Sequence, residues 1–368
     1  MEKIKIIAYY LPQFHPFKQN NEWWGKGFTE WTNVAKAKPL FKGHYQPKIP
    51  SDLGFYDLRL PEVREEQVQL AKEAGVYGFC YWHYWFNGTE LMERPFKEVL
   101  SSGKPDFPFC LGWANESWMA KLWSKNGVTG KTLIEQTYSD EDNIKHFEAY
   151  KVAFQDQRYI RIDDKPFFLI YRPLDMPDVK QFMQTWNKLI STSGIADGFY
   201  FVAHARNEEE CDILRNMGFD AVNIGPTTRC RELYKGFSKA RIINKVKRIF
   251  TGCPNMVDYK HINEIIWEKG YEDKEDVLPT LIPNWDHSPR GGKNSLVFNH
   301  CTPELWREQA DKVISLTKQK RNKVIMLKSW NEWGEGGYLE PDTLFKYGYL
   351  ENMYNALKAN DALEDNMG

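Results

Sequence analysis

Residues 324–341 read VIMLKSWNEWGEGGYLEP, and this stretch gives the strongest indication of both fold and chemistry. It opens with a run of four apolar residues, which is typical of a short buried strand. Glu332 and Glu335 follow that run closely, among tryptophans and glycines. Because (β/α)8 barrels keep their chemistry at the carboxyl ends of their strands, this placement favours a catalytic site.

Two carboxyl groups on either side of a glycosidic bond suit its cleavage, since one protonates the leaving oxygen while the other acts on the opposite side. Tryptophans offer flat apolar faces to the C–H face of a sugar. The alternative is a helix start with acidic residues in its first turn, which the helix dipole favours. We take Glu332 and Glu335 as the candidate catalytic pair, with Asn331 and Trp333 beside them as candidate substrate-binding residues.

Short apolar runs alternate with amphipathic patterns along the whole chain, as in repeated strand–helix units. The predicted strands are residues 5–10, 76–82, 107–113, 167–171, 199–203, 221–224, 278–283 and 324–328. The predicted helices include residues 61–74, 142–154, 179–190, 208–217 and 303–317. This alternation predicts an α/β protein, a single (β/α)8 TIM barrel over residues 1–368, with long loops after strands 1 and 6. The second loop, residues 226–276, is a basic insertion.

Polar and aromatic side chains gather where the predicted strands end. The further candidate substrate-binding residues at these ends are Tyr10, Trp82, His83, Trp85, Trp113, Asn115, Glu116, Trp118, Tyr171, Arg172, His204, Trp285, Asp286 and Arg290. Structural alternatives stay open for many of them. A lone histidine or tryptophan at a strand end usually belongs to the core, Glu116 could form an ion pair with Arg172, and a carboxylate paired with Arg290 could simply hold its loop.

The composition disfavours several classes of partner. The formal net charge is −1, from 49 basic and 50 acidic residues, and no long basic run is present, so neither nucleic acid nor a membrane surface is an expected partner. The first apolar run is too short for a signal sequence or a membrane span. We therefore expect a cytoplasmic setting, unless a signal was removed.

No cofactor or metal is expected. The chain lacks a dinucleotide-binding glycine motif, a phosphate-binding loop and a His-Glu-x-x-His zinc motif, and the missing phosphate loop also counts against a nucleotide-sugar donor. Residues 140–142 form an Asp-x-Asp pattern, which some sugar transferases use for a metal, but a helix start at Ser139 explains it. No Cys-x-x-Cys pair occurs, which predicts buried free thiols at Cys80, Cys110, Cys211, Cys230, Cys253 and Cys301.

Residues 331–336, followed by Glu340 and Pro341, resemble the catalytic segment of the endo-α-mannosidase family of glycoside hydrolases. The paired tyrosines of the first strand, Trp82 with Trp85, and the segment KPFFLIY at 165–171 fit the same pattern. The chain is still more similar to the WbsX-type family of surface-polysaccharide glycosyltransferases. The segments that carry this likeness are YLPQFH at 10–15, GFTEW at 27–31, HYQP at 44–47, DLGFYD at 52–57 and WANE at 113–116.

The resemblance implies a (β/α)8 fold and chemistry at a glycosidic bond. In the endo-mannosidase pattern, Glu332 would deprotonate the sugar's C2 hydroxyl, which attacks its own anomeric carbon, and Glu335 would protonate the leaving oxygen. Such a route retains configuration without a covalent enzyme adduct. That family commonly has a histidine between the tryptophan and the second glutamate, whereas this chain has Gly334, so specificity for mannose does not carry over.

Three functions follow from these observations. The paired glutamates favour a retaining glycoside hydrolase or transglycosidase with a glycan substrate. The family resemblance and the missing signal favour a glycosyltransferase of lipopolysaccharide, O-antigen or capsule synthesis. The third is a non-catalytic glycan-binding module, which would need the aromatic residues but not the acids. The sequence indicates no particular protein partner, sugar or linkage.

Overall fold

The computed structural model describes residues 3–120, 130–225 and 251–363. The chain divides into two compact units. Unit 1 comprises Met1–Phe14, Thr29–Tyr77 and Ile224–Gly368, and unit 2 comprises His15–Phe28 and Gly78–Asn223. The expectation of one catalytic domain over residues 1–368 stays a prediction.

Nine short strands form the main sheet of the described residues. They are β1 (Lys5–Tyr10), β2 (Gly78–Phe86), β3 (Phe109–Trp113), β4 (Lys165–Ile170), β5 (Tyr200–Ala205), β6 (Ala221–Ile224), β7 (Val277–Leu278), β8 (Thr280–Leu281) and β9 (Val324–Leu327). Each lies where the sequence predicts a strand, and β1 and β6 have the predicted bounds. The predicted seventh strand is divided into β7 and β8.

Eleven helices accompany these strands in the described part of the chain. They are α1 (Lys18–Trp24), α2 (Trp31–Lys36), α3 (Pro61–Glu73), α4 (Arg94–Ser102), α5 (Asp140–Gln155), α6 (Val179–Thr192), α7 (Glu208–Asn216), α8 (Tyr259–Ile265), α9 (Ser288–Gly291), α10 (Pro303–Thr317) and α11 (Gly348–Ala359). All five quoted helix predictions correspond to observed helices. The predicted start at Ser139 is also confirmed, because its hydroxyl accepts a hydrogen bond from the amide of Asp142.

The strands pair in parallel within each unit. In unit 1, β1 and β8 both pair with β9. In unit 2, β2, β3, β4 and β5 pair in sequence order. The strands are buried almost continuously, which parallel sheets require because helices cover both faces. This repetition of parallel strand and helix confirms the predicted (β/α)8 fold class.

The predicted insertion at 226–276 lies outside the described residues as far as 250. Its remainder contains a short strand, Asn255–Asp258, and helix α8. Cys230 also lies outside the described residues, whereas Cys80, Cys110 and Cys211 are buried free thiols and Cys253 and Cys301 are free and half-buried. Across residues 3–120, 130–225 and 251–363, no helix has both the length and the apolar character to cross a bilayer.

Candidate active site

A small hairpin after β9 carries both candidate catalytic residues. Asn331–Glu332 pairs antiparallel with Gly337–Tyr338, and the turn between them is a single 3-10 turn, Trp333–Glu335. This turn is closed by Gly336, whose φ of 58° lies in the left-handed region. A Cβ atom at Gly336 would lie 2.8 Å from the backbone nitrogen of Asp286, so the turn also needs glycine for space.

The side chain of Asn331 ties this hairpin to the end of β1. Its Oδ1 accepts a hydrogen bond from the backbone amide of Leu11 at 2.7 Å, and its Nδ2 donates to the carbonyl of Leu11 at 3.1 Å. Asn331 is fully buried, and these two bonds occupy both ends of its amide. The sequence suggested Asn331 as a substrate-binding residue, and its contacts favour a structural role.

Arg290, in helix α9, connects the acidic residues of the site. Its Nη1 donates to Oε1 of Glu335 at 2.6 Å, and its Nη2 lies 3.5 Å from Oε2 of Glu332. Its Nε donates to Oε1 of Glu30 at 2.8 Å. Burial opposes the charge of Arg290, but the three carboxylates outweigh burial and hold its pKa well above its ordinary value. Arg290 therefore spans both candidate catalytic residues and one further carboxylate.

The two glutamates have different surroundings. Glu335 faces basic side chains: Nζ of Lys328 lies 3.3 Å from its Oε2, and Nε2 of His287 lies 4.0 Å from its Oε1. Glu332 is only 6% exposed, and its Oε2 makes no hydrogen bond to any residue that the structure describes. Burial, with the neighbouring charge of Glu335, raises the pKa of Glu332 to about 7. Near neutral pH Glu332 is therefore partly protonated, and the pair can exchange one proton.

Glu30 also contacts this site, a role that no sequence pattern predicted. It lies in the GFTEW segment of the long loop after β1, where no strand ends. A Cβ atom at Gly334 would overlap Oε1 of Glu30 and lie 2.6 Å from its Cδ. The same atom would lie 3.0 Å from Nε of Arg290. The carboxylate of Glu30 thus occupies the space that a side chain at position 334 would need.

A buried carboxyl group supports the turn from behind. Glu340 accepts hydrogen bonds from Nε1 of Trp333 at 2.6 Å, from the hydroxyl of Tyr56 at 2.9 Å and from Nε2 of Gln67 at 2.6 Å. Burial raises the pKa of Glu340 to about 7, against the effect of these donors. The hydroxyl of Tyr10 donates to Gln67 at 2.7 Å. Tyr10 and Trp333, both candidate substrate-binding residues, are therefore parts of a buried support.

Asp286 holds the loop that precedes Arg290. Its carboxylate is hydrogen-bonded to Nε2 of His44 at 2.7 Å and accepts from Nε2 of Gln46 at 2.5 Å and from the amide of Ser288 at 2.9 Å. Burial raises the pKa of Asp286, but His44, Lys48 and Ser288 outweigh it and lower that pKa to about 2. The sequence left open that a carboxylate in this region simply holds the loop. The contacts of Asp286 with His44 and Gln46 fit that structural role.

Trp285 is buried beside the same site. Nζ of Lys328 lies 5.2 Å from the centre of its ring, and the imidazole of His287 lies nearly parallel to it at 6.3 Å. Its Nε1 donates no hydrogen bond to the part of the chain that the structure describes. Trp285 thus forms a flat wall behind Lys328 and His287, which face Glu335.

In unit 2, a second group of predicted residues meets at the ends of β3, β4 and β5. Oδ1 of Asn115 accepts a hydrogen bond from the backbone amide of Arg172 at 2.7 Å, and its Nδ2 donates one to the carbonyl of Arg172 at 2.9 Å. The guanidinium of Arg172 lies 3.9 Å above the ring of Tyr171 and 3.4 Å from Glu116. The ring of Tyr171 also lies 5.0 Å from that of His204. This half-exposed cluster of aromatic and charged side chains remains a candidate sugar-binding surface.

The other predicted residues of unit 2 differ in burial. His83 is hydrogen-bonded through Nε2 to Nε2 of His146 at 2.6 Å, and burial lowers the pKa of His83 to about 3. Trp85 stacks on His146 at 4.8 Å, and Nε1 of Trp113 donates to the carbonyl of Trp85. These buried contacts favour core roles for His83, Trp85 and Trp113. The half-buried rings of the set, which could still receive a sugar, are Trp82 and Trp118.

The contacts of the Asp-x-Asp pattern at residues 140–142 indicate a structural role. Asp142 receives a hydrogen bond from Nε1 of Trp85 at 3.0 Å, and its backbone amide is capped by Ser139. Within the described ranges, no group of three or more histidine, cysteine, aspartate or glutamate residues is arranged to hold a metal ion.

Comparison with known proteins assigns the chain to a family. Residues 6–353 match the model of the family described as Glycosyltransferase WbsX. The chain belongs to this family. WbsX proteins are a family of carbohydrate-active enzymes. The family resemblance seen in the sequence is therefore confirmed.

The curated relatives are longer than this WbsX chain. Uncharacterized protein WxcX, from two strains of Xanthomonas campestris pv. campestris, is 34% identical over 362 residues. The match covers 96% of this chain and 49% of the relative, so the chain spans about half the length of the curated relatives it matches.

Solved structures share the fold at low sequence identity. A glycoside hydrolase-like protein superposes with a TM-score of 0.61 at 14% identity, over 97% of this chain and 94% of the other. The GH99 endo-alpha-mannosidase from Bacteroides thetaiotaomicron superposes with a TM-score of 0.57 at 14% identity, over 98% of both chains. These WbsX and glycoside hydrolase proteins therefore have a common fold.

Proposed function

We propose that this WbsX chain acts on the glycosidic bonds of an oligosaccharide or polysaccharide by glycoside hydrolase-type chemistry, with retention of configuration. One observation carries the proposal: the guanidinium of Arg290 lies within ion-pair distance of both Glu332 and Glu335. One of these glutamates is buried, with a carboxyl oxygen that makes no hydrogen bond to the described residues. The ion pair with Arg290 at 3.5 Å leaves this buried oxygen without a hydrogen bond, which is costly, and a sugar hydroxyl would supply one.

The protonation of the pair suits acid–base chemistry. A carboxyl group with a pKa of about 7, as for Glu332, gives and takes a proton readily at neutral pH. Glu335 lies beside Arg290 and Lys328, whose charges stabilise its carboxylate form. A carboxyl group that exchanges its proton near neutral pH, beside one that cations stabilise as a carboxylate, suits a pair that needs one acid and one base.

In the reaction that we propose, Glu332 takes the proton of the C2 hydroxyl, whose oxygen attacks the anomeric carbon. The bond to the leaving oxygen breaks as that oxygen takes a proton from Glu335. Water then opens the resulting anhydro sugar with the two proton transfers reversed. A C2 hydroxyl that donates a hydrogen bond to Glu332 stabilises its carboxylate, and this moves the shared proton towards Glu335.

The charges of the unliganded site also favour a second assignment of roles. The pKa of Glu332 is raised and Glu335 faces Arg290 and Lys328, so Glu332 could protonate the leaving oxygen while Glu335 acts on the opposite side. The two assignments predict opposite pH dependence, because each needs a different ionisation state of Glu332. Both use the same two glutamates and the same arginine.

The candidate substrate surface of unit 2 belongs to this proposal. Tyr171 and Arg172 present a ring and a guanidinium, and His204 and Trp82 lie against the same tyrosine at 5.0 and 5.3 Å between ring centres. Aromatic faces and hydrogen-bond donors are the groups that bind sugars in carbohydrate sites. We assign this cluster of unit 2 to sugar binding, with Trp118 as a further half-buried ring.

A glycosyltransferase is the second candidate, because the matching family carries that description. The purified chain should be incubated with bacterial oligosaccharides and polysaccharides alone, and in parallel with nucleotide sugars and acceptor glycans. Mass spectrometry of the products separates the two activities. A hydrolase shortens glycans without a nucleotide sugar, whereas a transferase consumes the nucleotide sugar and extends the acceptor.

Three variants complete this experiment. Glu332→Gln and Glu335→Gln should abolish glycan cleavage, and Glu65→Gln, an exposed carboxylate on helix α3, should leave it unchanged. A binding module would bind glycans without altering them, and both glutamine variants at 332 and 335 would bind as well as the wild type. Cleavage that survives in both of these variants would contradict the proposed site.

A further inference from the structure

The carboxylate of Glu30 forms a fixed link between the loop after β1 and the catalytic pair. Glu30 is 2% exposed and lies just before helix α2. It accepts a hydrogen bond from Nε of Arg290 at 2.8 Å and a longer one from Nδ2 of Asn33 at 3.4 Å. A buried carboxylate is tolerated when it is paired with a charged donor, and Arg290 is that donor.

Gly334 provides the space in which Glu30 lies. Any Cβ atom at position 334 would overlap its Oε1 and approach its Cδ at 2.6 Å. Gly334 is buried and has no left-handed φ angle, so neither exposure nor backbone conformation explains the glycine. The glycine between Trp333 and Glu335 and the glutamate at position 30 are therefore one complementary pair.

We infer that Glu30 is a positioning residue, which holds Arg290 across Glu332 and Glu335 and determines which of the two glutamates carries the shared proton. The geometry supports the first part, since Glu30 binds Nε and leaves Nη1 and Nη2 for the catalytic pair. The role of Glu30 in catalysis rests on the proposed function. Its effect on the protonation of Glu332 is independent of that function, because it is a property of the unliganded protein.

The sign of the effect follows from the charges around Glu332. The groups that act on it are Glu335, Lys328, Arg290 and Glu30. Without Glu30, one negative group is lost and the charge of Arg290 is no longer shared with it. Both changes stabilise the carboxylate form of Glu332, so its pKa should fall and the proton should leave it at neutral pH.

The test is a titration of Glu332 in the unliganded full chain by carboxyl carbon-13 NMR. Its signal is assigned by its absence in Glu332→Gln. In the wild type the midpoint should lie near pH 7. In Glu30→Gln it should fall by about one pH unit or more, and in Glu30→Asp, which keeps the charge, it should lie between the two. An unchanged midpoint in folded Glu30→Gln would overturn the inference.

Two further variants guard against trivial explanations. Asp156→Asn breaks another carboxylate–arginine pair, with Arg158 in unit 2, and should leave the Glu332 midpoint unchanged. If Glu30→Gln fails to fold, the double variant Glu30→Ala with Gly334→Ala removes the charge and refills part of its space. That variant should be more stable than Gly334→Ala alone, and it should show the same lowered midpoint; a midpoint near that of the wild type would overturn the inference.

The outcome can be separated from that of the proposed function. A lowered midpoint in Glu30→Gln, with no cleavage of any glycan by the wild type, supports the positioning role and contradicts the hydrolase. Cleavage by the wild type with an unchanged midpoint in Glu30→Gln supports the hydrolase and contradicts the positioning role. When both hold, the pH profile of turnover in Glu30→Gln should move to lower pH together with the NMR midpoint.

Discussion

The indole of Trp333 donates a hydrogen bond to the buried carboxyl group of Glu340 at 2.6 Å. The same ring stacks on Tyr338, with centres 3.7 Å apart and planes 11° apart. Trp333 stands between the two candidate catalytic glutamates in the chain, so these contacts fix the turn that carries them. The ring that the sequence suggested as a sugar platform instead holds the backbone of the site in place.

Replacing this indole should weaken the fold and the site together. Trp333→Phe keeps an aromatic ring but leaves Glu340 one donor short, which should cost about 1–3 kcal/mol in the free energy of unfolding. Turnover should also fall, because the turn loosens. Trp186→Phe breaks a comparable buried indole bond, to the carbonyl of Asn143, and is the matched control. Equal turnover in the two variants, with matched stability loss, would argue against a link to the site.

Loss of the proposed acid should depend on the leaving group. Glu335→Gln should lower turnover by roughly two to four orders of magnitude for substrates with poor leaving groups. An activated aryl leaving group needs less protonation, so the loss should shrink there. Initial rates on the two substrate types measure this difference. Equal losses on both would rule out Glu335 as the acid.

The pH dependence of kcat/KM should separate the two assignments of roles. If Glu332 is the base it must be ionised, so the rate should rise as pH increases through about 7. If Glu332 is the acid it must be protonated, and the rate should fall over the same interval. The profile is measured on an activated aryl substrate, for which protonation by the second residue matters least. A flat profile between about pH 5 and 9 would contradict both assignments.

The raised pKa of Glu332 also predicts how stability depends on pH. Its ordinary value is 4.5 and its value in the folded chain is about 7, so the folded state binds the extra proton between these limits. The contribution of Glu332 is therefore most favourable at low pH and is lost as pH rises through about 7. Glu332→Gln should be more stable than the wild type at pH 8, by on the order of 1–3 kcal/mol, and not at pH 4. Denaturant unfolding at both pH values tests this.

A substrate without a free C2 hydroxyl should distinguish the proposed route from a covalent one. A 2-deoxy or 2-fluoro glycoside should not be turned over, because the attacking hydroxyl is missing. It should also leave no adduct on Glu332 when the intact protein is examined by mass spectrometry. A glycosyl ester at Glu332 would exclude attack by the C2 hydroxyl, but it would be consistent with the hydrolase proposal.

Gly336 offers a test of the turn geometry. Gly336→Ala places a Cβ atom 2.8 Å from the backbone of Asp286 at a φ of 58° and should lower the free energy of unfolding by about 2–4 kcal/mol. Gly54 has the same φ of 58° with nothing within 4 Å, so Gly54→Ala measures the backbone strain alone. The difference between the two melting temperatures reports the close approach to Asp286.

The sequence predicted the strands and the helix start at Ser139 because both are local patterns, and the candidate catalytic segment is a prediction of the same local kind. Apolar runs such as Val324–Leu327 and the cap at Ser139 are decided within a few residues, so they can be read directly. Glu30 could not be found in this way. It follows no strand, and its role depends on Arg290, which is 260 residues away in the chain. Whether a tryptophan is buried, as Trp113 is, likewise depends on packing that no short segment encodes.

The hydrogen bonding between the side chain of Asn331 and the backbone of Leu11 joins parts of the chain that are 320 residues apart. During synthesis the ribosome makes Leu11 320 residues before its partner. Contacts of such long range form late, because loop closure must be offset by packing already in place. Nascent chains that stop before residue 331 should therefore contain folded helices and strands but no assembled carboxylate site. Products that end before residue 331 should therefore lack the proposed activity entirely, and should not be partly active.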